Sequence, residues 1–482
     1  MRSMVVVISD LHFEEERGDI IGDPASPNCI RFNRNVPASA FEDMMCDVAN
    51  MAKSNGVDQL DFILAGDVFD LHRTQLWFGE DEDIRPYVNC NDVKPGSVLE
   101  TKLLSILNAI VSEDAVKESL EVFHRFSSGQ YLDTSDGNRT IKDFGLKTFL
   151  HFLPGNHDRL TNATPAIRTR VRKILGLEGG DTKFGHQFNF TDPPVLVRHG
   201  HEYDPTNFPI DLSGKFISSS LPDDLYDKPT FGDFVTVMIA SRLPVCFRQR
   251  YTDAAILSDT VLAAIYYRIL EFDDVRPQSV VLDFFFNTVR PQGLKTRFPD
   301  KESWQRYIWA VITPVLIQIL DDVAQDKYFA DWLRKFGKGY LVHLLRLRPW
   351  RYTGLPFWFS RLVGVGLGKE GGGEGPESSA AHETALTSGT TFIVAGHTHK
   401  PQVAHLFSDG GDKKYFTDTG TWRNAILTAG DKKSYGRVNA TTYVAYYGKE
   451  RDPSADTSVK PHHGFEFWTG YDQSWPINGA DG

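Results

Sequence analysis

The stretch FLHFLPGNHDR, residues 149–159, joins an apolar run to a short polar sequence that a turn alone does not require. Residues 149–153 have the composition of a strand buried on both faces, and a Pro-Gly pair ends it. Asn156, His157 and Asp158 follow directly. A tight turn uses a glycine with an Asn or an Asp, so a histidine between the two indicates a chemical role.

The same arrangement of an apolar run followed by polar side chains occurs four more times along the chain. The other runs are residues 4–9, 60–65, 194–199 and 390–395, and stretches with helical spacing separate several of them. This alternation predicts an α/β fold, in which ligands bind at the carboxyl ends of the strands. The side chains at these ends are Asp10, His12, Asp67, Asp70, His199, His201, His397 and His399.

These side chains are the donor types of a divalent metal site. Carboxylate, imidazole and amide oxygens suit Mn, Fe or Zn, and the set contains no thiolate. In an extended segment alternate side chains share a face, so His397 and His399 can point the same way, as can Asp10 and His12. Two neighbouring metals need a shared ligand. Asp67 is the natural bridging carboxylate, because it follows a glycine that permits close approach.

The five blocks D-x-H, G-D-x-x-D, G-N-H-D, H and G-H-x-H stand here in the order found in the calcineurin-like metallophosphoesterase superfamily. The chain resembles that superfamily over about residues 1–204 and 390–450. The resemblance implies a four-layer α-β-β-α sandwich that holds two divalent metal ions, Mn²⁺ foremost, with Fe or Zn as alternatives. It also implies a binuclear enzyme that hydrolyses a phosphomonoester, phosphodiester or diphosphate bond with a hydroxide bridging the metals.

The resemblance also assigns roles to individual residues. It gives the first metal Asp10, His12, Asp67 and His399, and it gives the second metal Asp67, Asn156, His199 and His397. His157 is then a catalytic residue facing the substrate phosphoryl group, with Asp158 or Asp70 orienting it. His201 and Arg159 are candidates for substrate binding.

The matching blocks are interrupted by a long segment without counterpart in the family pattern. Residues 205–350 are rich in aromatic residues and helical spacing, and residues 366–390 are rich in Gly, Ser and Glu. We expect an N-terminal core part over 1–204, a helical insertion or lid over 205–365, a flexible linker over 366–390, and a C-terminal core part over 391–482. The aromatic stripes favour an internal helical core of the insertion over a lipid-binding groove.

One branch of the superfamily is especially similar in its local motifs. GHTHKP followed by YFTDTGTW, and GDVFD followed by Trp77, look like the UDP-2,3-diacylglucosamine diphosphatase branch. That branch has G-N-R-D where this chain has G-N-H-D, and its insertion is shorter. The histidine is typical of general phosphomonoesterases and phosphodiesterases, so both small and lipid-linked phosphoesters are candidate substrates.

The composition of the chain limits which other classes of function and location are compatible with it. The net charge of −11 over 482 residues argues against a protein that coats duplex DNA. The four cysteines are far apart, and the N-terminus lacks the pattern of a secretory signal, which predicts a cytoplasmic protein. We predict no transmembrane segment and leave peripheral membrane contact open. A DNA-repair-type nuclease of the same superfamily and a non-catalytic metal-binding scaffold are the alternative functions.

Overall fold

The structure, a computed structural model, describes residues 2–26, 29–79, 84–135, 137, 139–276, 280–289, 297–325, 375–409, 412–429, 434–448 and 463–477. In this part of the chain it is a mixed α/β protein with several sheets and helices. The strands are β1 Ser3–Ile8, β2 Gln59–Ala65, β3 Gln130–Asp133, β4 Thr140–Asp143, β5 Lys147–Leu153, β6 Gln187–Thr191, β7 Pro194–Arg198, β8 Val275–Arg276, β9 Phe392–Ala395, β10 Gln402–Asp409, β11 Asp412–Asp418, β12 Asn424–Thr428, β13 Tyr435–Tyr447 and β14 Phe465–Ile477.

The helices alternate with these strands in the first half of the chain and dominate its middle. The α-helices are α1 Ala38–Ser54, α2 Val98–Ser112, α3 Asp114–Ser127, α4 Pro165–Leu175, α5 Asp223–Tyr226, α6 Phe231–Val235, α7 Arg242–Tyr251, α8 Asp253–Ser258, α9 Thr260–Leu270, α10 Val281–Thr288, α11 Lys301–Gln325 and α12 Pro376–Ala380. A π-helical stretch, Thr236–Ser241, joins α6 to α7.

Two large sheets carry the strands that end in the candidate ligands. The first has the order β5-β2-β1-β13-β12-β8, with β14 along β13, and its strands β1, β2 and β5 are parallel. The second has the order β10-β11-β9-β7-β6, with β7, β9 and β11 parallel. Because parallel strands end at the same edge, each sheet delivers its loops to one edge.

Alternation along the strands divides the apolar side chains among separate cores. Val5 and Val7 of β1 pack with Val197 and Val394 of the second sheet, so one core lies between the two sheets. The intervening side chains of β1 pack instead with the helices on the outer face, including α1, α2 and α3. The outer face of the second sheet packs against residues of α12 and its neighbourhood. Each of these near-continuous apolar strands therefore packs side chains on both faces of its sheet.

The described part of the long middle segment packs into the core of the protein rather than forming a separate unit. Its strand β8 pairs in parallel with β12, where Val275 lies opposite Ile426. Its side chains Phe247 and Ile308 belong to the same apolar cluster as Phe41 of α1. The structure therefore draws no clear division between the core and residues 205–325, which we had expected to form a lid.

The predicted flexible linker is structured in its second half. Residues 376–380 are helical, Ala380 and Leu386 are buried under the second sheet, and the carboxylate of Glu383 lies 2.8 Å from the guanidinium of Arg198. The first part of the linker, residues 366–374, lies outside the described residues. This ordering departs from the sequence prediction because a few buried side chains suffice to anchor a polar stretch.

One helical stretch, Asp223–Tyr251, is by length and composition able to cross a membrane. The sequence had predicted no transmembrane segment in the chain. Of its most apolar window, 78% is buried inside the protein, as in the core helix of any folded domain. The finding is weak evidence for a membrane span.

Candidate metal centre

The predicted ligands converge where the two sheets present their strand ends. The loops after β1, β2, β5, β7 and β9 contribute them, and residues nearly 390 positions apart come into contact. Three groups of His and Asp side chains lie close enough to hold a metal ion, with ligand atoms within 4.8 Å of one another. They are Asp10 with His12 and His399, His12 with Asp67 and His157, and Asp67 with His199 and His397.

The first group surrounds one position. The Nε2 atoms of His12 and His399 are 3.0 Å apart, and Asp10 Oδ1 lies 3.7 Å from the former and 3.3 Å from the latter. Ligands that each sit about 2.1 Å from one ion are separated by about 3.0 to 3.8 Å at angles of roughly 90 to 130°. Among the described residues, Asp10 Oδ1 is also buried without a hydrogen-bond partner. The residues present therefore fit a divalent cation.

The second group repeats this pattern around Asp67. The Nε2 atom of His199 lies 3.1 Å from Asp67 Oδ2 and 3.1 Å from the amide oxygen of Asn156. The same oxygen of Asp67 is 3.7 Å from His12 Nε2, so it faces both groups. The charges of the neighbouring histidines hold the pKa of the buried Asp67 carboxyl well below its usual range, although burial alone would raise it. Asp67 is thus an ionised carboxylate between two clusters.

Each ring nitrogen that faces away from the clusters has a partner. His12 Nδ1 is 3.0 Å from Asp70 Oδ2, His199 Nδ1 donates to the carbonyl of Ala65 at 2.9 Å, and His397 Nε2 lies 3.1 Å from Asp204 Oδ2. A proton fixed on the outer nitrogen leaves the inner nitrogen as a lone-pair donor, the arrangement that metal-binding histidines use.

His399 has a different kind of partner at its outer nitrogen. Its Nδ1 lies 2.9 Å from the guanidinium of Arg276. Burial, followed by the charge of Arg276, lowers the pKa of His399 to about 3. Because Nδ1 accepts from Arg276, the neutral ring carries its proton on Nε2, and this proton must leave before Nε2 can bind a metal ion.

The backbone at these positions is held in an uncommon conformation. Six described residues other than glycine have positive φ, and five of them are predicted ligands. Such residues each cost on the order of 1–3 kcal/mol, and they persist where the surrounding structure enforces them, typically at functional sites. The five are Asp10 (φ 55°), His12 (46°), Asp67 (53°), His397 (73°) and His399 (58°).

Two motif glycines owe their identity to close approach. A Cβ on Gly155 would lie 2.2 Å from Asp67 Oδ1, and a Cβ on Gly396 would lie 2.3 Å from Asp10 Oδ2. Any side chain there would displace a predicted ligand. This is the physical reason for the glycines in G-N-H-D and G-H-T-H.

His157 lies beside the predicted ligands, close to His12 and Asp67, on the more open side. Its Nδ1 is 2.8 Å from Asp70 Oδ1, and its side chain is 17% exposed. Burial opposes the charged ring, but the carboxylates of Asp70 and Asp67 outweigh it and raise the pKa of His157 to about 10. Asp70 thus holds Nδ1, and Nε2 is left to face a substrate.

Asp158 has a different position from the one expected. Its carboxylate accepts hydrogen bonds from the backbone N–H groups of Val68 at 2.8 Å, Gly155 at 2.6 Å, and Asp67 and Phe69 at 3.3 Å. Asp158 thus ties the two ligand loops together, and Asp70 is the carboxylate that orients His157. Adjacent side chains in a turn point in different directions, so sequence proximity was a poor guide.

The two candidates for substrate binding are both buried. Arg159 is 5% exposed; it binds the Asp233 carboxylate at 2.8 Å and the carbonyls of Val88, Pro86 and Asp227. His201 is also 5% exposed, and burial lowers its pKa to about 3. The structure does not bring either residue to the open side beside His157.

Several residues that shape this centre carry no motif in the sequence. Asp204 orients His397, and Asp418 accepts from the Thr398 hydroxyl at 2.8 Å, fixing the turn between the last two histidines. An acidic residue five positions after His199 was the only signal for Asp204.

Comparison of the chain with protein-family models, with curated proteins and with solved structures finds no match in any of the three.

Proposed function

We propose that the protein is a metal-dependent phosphoesterase that uses two divalent metal ions, Mn²⁺ foremost. The observation that carries the proposal is the shared carboxylate, since one oxygen of Asp67 faces both His199 and His12 at 3.1 and 3.7 Å. A bridging carboxylate between two histidine-containing clusters is the donor set of a two-metal hydrolase.

The layering of the fold supports the same assignment. Two sheets share a core and each has helices against its outer face. We interpret this as the four-layer α-β-β-α sandwich of the calcineurin-like metallophosphoesterases. In that fold the site occupies the edge where the loops of both sheets meet, which is where the clusters lie here.

Asp10, His12, Asp67 and His399 would hold one metal, and Asp67, Asn156, His199 and His397 the other. The bound metals would neutralise charge on the phosphoryl oxygens and lower the pKa of water. Asn156 contributes a neutral oxygen, which keeps the net charge of the centre less negative for an anionic substrate.

The chain's own acid is His157. Its Nδ1–H is fixed by Asp70 at 2.8 Å, so the ring presents Nε2 to the more open side. In hydrolysis a water oxygen forms a bond to phosphorus, the bond to the leaving oxygen breaks, and His157 gives that oxygen a proton. General acid catalysis of this kind contributes about 10²- to 10⁴-fold.

The alternatives have less support. The net charge of −11 argues against a nuclease that tracks duplex DNA. A scaffold would not need the ring of His157 held by Asp70 beside the clusters. We therefore propose a small or lipid-linked phosphoester as substrate, a phosphomonoester, phosphodiester or diphosphate, in the cytoplasm.

The proposal is tested by metal-dependent hydrolysis. The protein is stripped with EDTA, reloaded with Mn²⁺, and assayed on p-nitrophenyl phosphate and bis-p-nitrophenyl phosphate. Asp67→Asn should abolish hydrolysis and lower the metal content. Asp61→Asn is the matched control, because Asp61 lies on β2, the strand that precedes Asp67, and pairs with His151 at 2.8 Å, away from the clusters. Hydrolysis that survives in Asp67→Asn, or that EDTA does not affect, would refute the assignment.

A further inference from the structure

A second set of buried charges adjoins the metal centre, and its middle is an arginine. Arg423 is 2% exposed, and its Nη2 lies 3.0 Å from Glu14 Oε1, 3.0 Å from Asp273 Oδ2 and 3.0 Å from Asp274 Oδ1. Two further buried arginines border the same acids: Arg34 is 3.0 Å from Glu14, and Arg73 is 3.5 Å from Asp273. We call these residues the arginine cluster: Arg34, Arg73, Arg423, Glu14, Asp273 and Asp274.

The acids of the cluster are not a third metal site. Glu14, Asp70 and Asp273 have oxygens within 4.8 Å of one another, which is close enough for a metal ion. The guanidinium of Arg423 lies among them: it donates to Asp273 Oδ2 at 3.0 Å and forms an ion pair with Glu14 Oε1 at the same distance. A planar guanidinium with five donors suits several carboxylates at once, as a single ammonium does not.

The cluster joins the middle segment of the chain to the carboxylate behind His157. Asp273 and Asp274 follow α9 in the insertion, whereas Arg423 immediately precedes β12. The Nη1 of Arg423 lies 3.7 Å from Asp70 Oδ2. The same oxygen is 3.0 Å from His12 Nδ1, and the other oxygen of Asp70 is 2.8 Å from His157 Nδ1.

The insertion is also tied to this point through its backbone. Arg34 and Arg73 both donate to the carbonyl of Leu270, at 2.7 and 3.3 Å. The end of α9 and the acids that follow it are therefore fixed against the core from two sides. Asp273 and Asp274 therefore have little freedom to rotate. Because they hold Arg423, and Arg423 lies against Asp70, the carboxylate of Asp70 is held in place as well.

We propose that Arg423 is a positioning residue that, held by Asp273 and Asp274 of the insertion, fixes Asp70 and through it the ring of His157. This inference rests on the proposed function. It makes the insertion part of the catalytic machinery, in addition to any contact with substrate. Displacement of a catalytic group by about 1 Å can cost on the order of 10²-fold in rate.

The test uses Arg423→Lys, which keeps the positive charge but replaces the planar guanidinium by a single ammonium group. Wild type and variant are compared on p-nitrophenyl and phenyl esters of the same phosphate. The p-nitrophenolate leaves without a proton, whereas phenolate depends on the acid. With both assays at saturating Mn²⁺, we expect kcat on the phenyl ester to fall about 10- to 100-fold, kcat on the p-nitrophenyl ester to fall less than about 3-fold, and KM to stay unchanged.

Arg437→Lys is the matched control. Arg437 pairs with Glu271 of the insertion and does not touch Asp70, so the selectivity between the two esters should not change. An equal loss on both esters in Arg423→Lys would indicate general damage and overturn the inference, as would no loss on either.

A second readout does not depend on turnover. In a sample labelled with ¹⁵N at histidine, the Nδ1–H of His157 should give a resolved downfield signal that Arg423→Lys shifts or broadens and Arg437→Lys does not. An unchanged signal in Arg423→Lys overturns the positioning role even in a protein that hydrolyses neither ester. A wild type inactive on both esters would count against the proposed function alone.

Discussion

The main effect of replacing Asp70 by Asn should be weaker binding of one metal ion, rather than loss of proton donation by His157. Asp70 Oδ1 accepts from His157 Nδ1 at 2.8 Å and from the backbone N–H of Arg73 at 2.8 Å, whereas Oδ2 accepts from His12 Nδ1 at 3.0 Å. Asn has one acceptor oxygen and one donor amide. The oxygen accepts two hydrogen bonds at the first position and one at the second, where Arg423 adds only an ion-pair contact at 3.7 Å, so the amide should face His12.

The amide would then meet the Nδ1–H of His12, and two donors repel each other. The proton of His12 should move to Nε2, the nitrogen that faces Asp10 and His399. Loss of such an outer carboxylate typically costs 10- to 100-fold in metal affinity. This corresponds to about 1.4 to 2.8 kcal/mol.

The assay is metal content after dialysis, together with a calorimetric titration of Mn²⁺. We expect Asp70→Asn to retain about one metal per chain under conditions where the wild type retains two, and the weaker site to lose about 10- to 100-fold in affinity. His157→Ala is the control, because its ring is absent from both predicted ligand sets. Two tightly held metals in Asp70→Asn would refute this reasoning about the His12 tautomer.

Three other outcomes follow. His157→Ala should lower kcat by about 10²- to 10⁴-fold with metal content nearly intact, and loss of metal would contradict its assignment. Gly155→Ala should impair metal binding, because its Cβ would lie 2.2 Å from Asp67 Oδ1; normal metal content would disprove the steric argument. Burial raises the pKa of Glu15 from 4.5 to about 7, so the folded state keeps a proton that the unfolded chain loses. Stability should therefore fall by about 3 kcal/mol as pH rises from 4.5 to beyond 7, and Glu15→Gln should remove this component in urea titrations; an identical pH slope in both proteins would contradict it.

The residues that could be predicted are those whose signal is local. An apolar strand ending in a polar motif is visible within ten residues, so the structure brings the strand ends and their side chains together as expected from sequence. The helices α9 and α11 were visible by their spacing. β8 was not, because a two-residue strand has no periodicity to detect.

The remaining features depend on distant contacts. Arg423 and Asp70 are separated by several hundred residues, and nothing near either one indicates the other. Arg159 was predicted to bind substrate because it follows a motif, but its guanidinium is surrounded by carbonyls and Asp233. A long side chain can turn inward as readily as outward, and only the surrounding structure decides which.

The pairing of β1 with β13 has a consequence for synthesis of the protein. Val7 lies opposite Val444, and His399 must reach Asp10, so the centre draws on both ends of the chain. At about 5–20 residues per second, the ribosome needs roughly 20 to 90 s after Asp10 before Tyr447 emerges. During that interval the nascent chain carries Asp10, His12 and Asp67 without their partners. Metal loading should therefore follow translation, and a chain halted before β9 should not acquire the first metal.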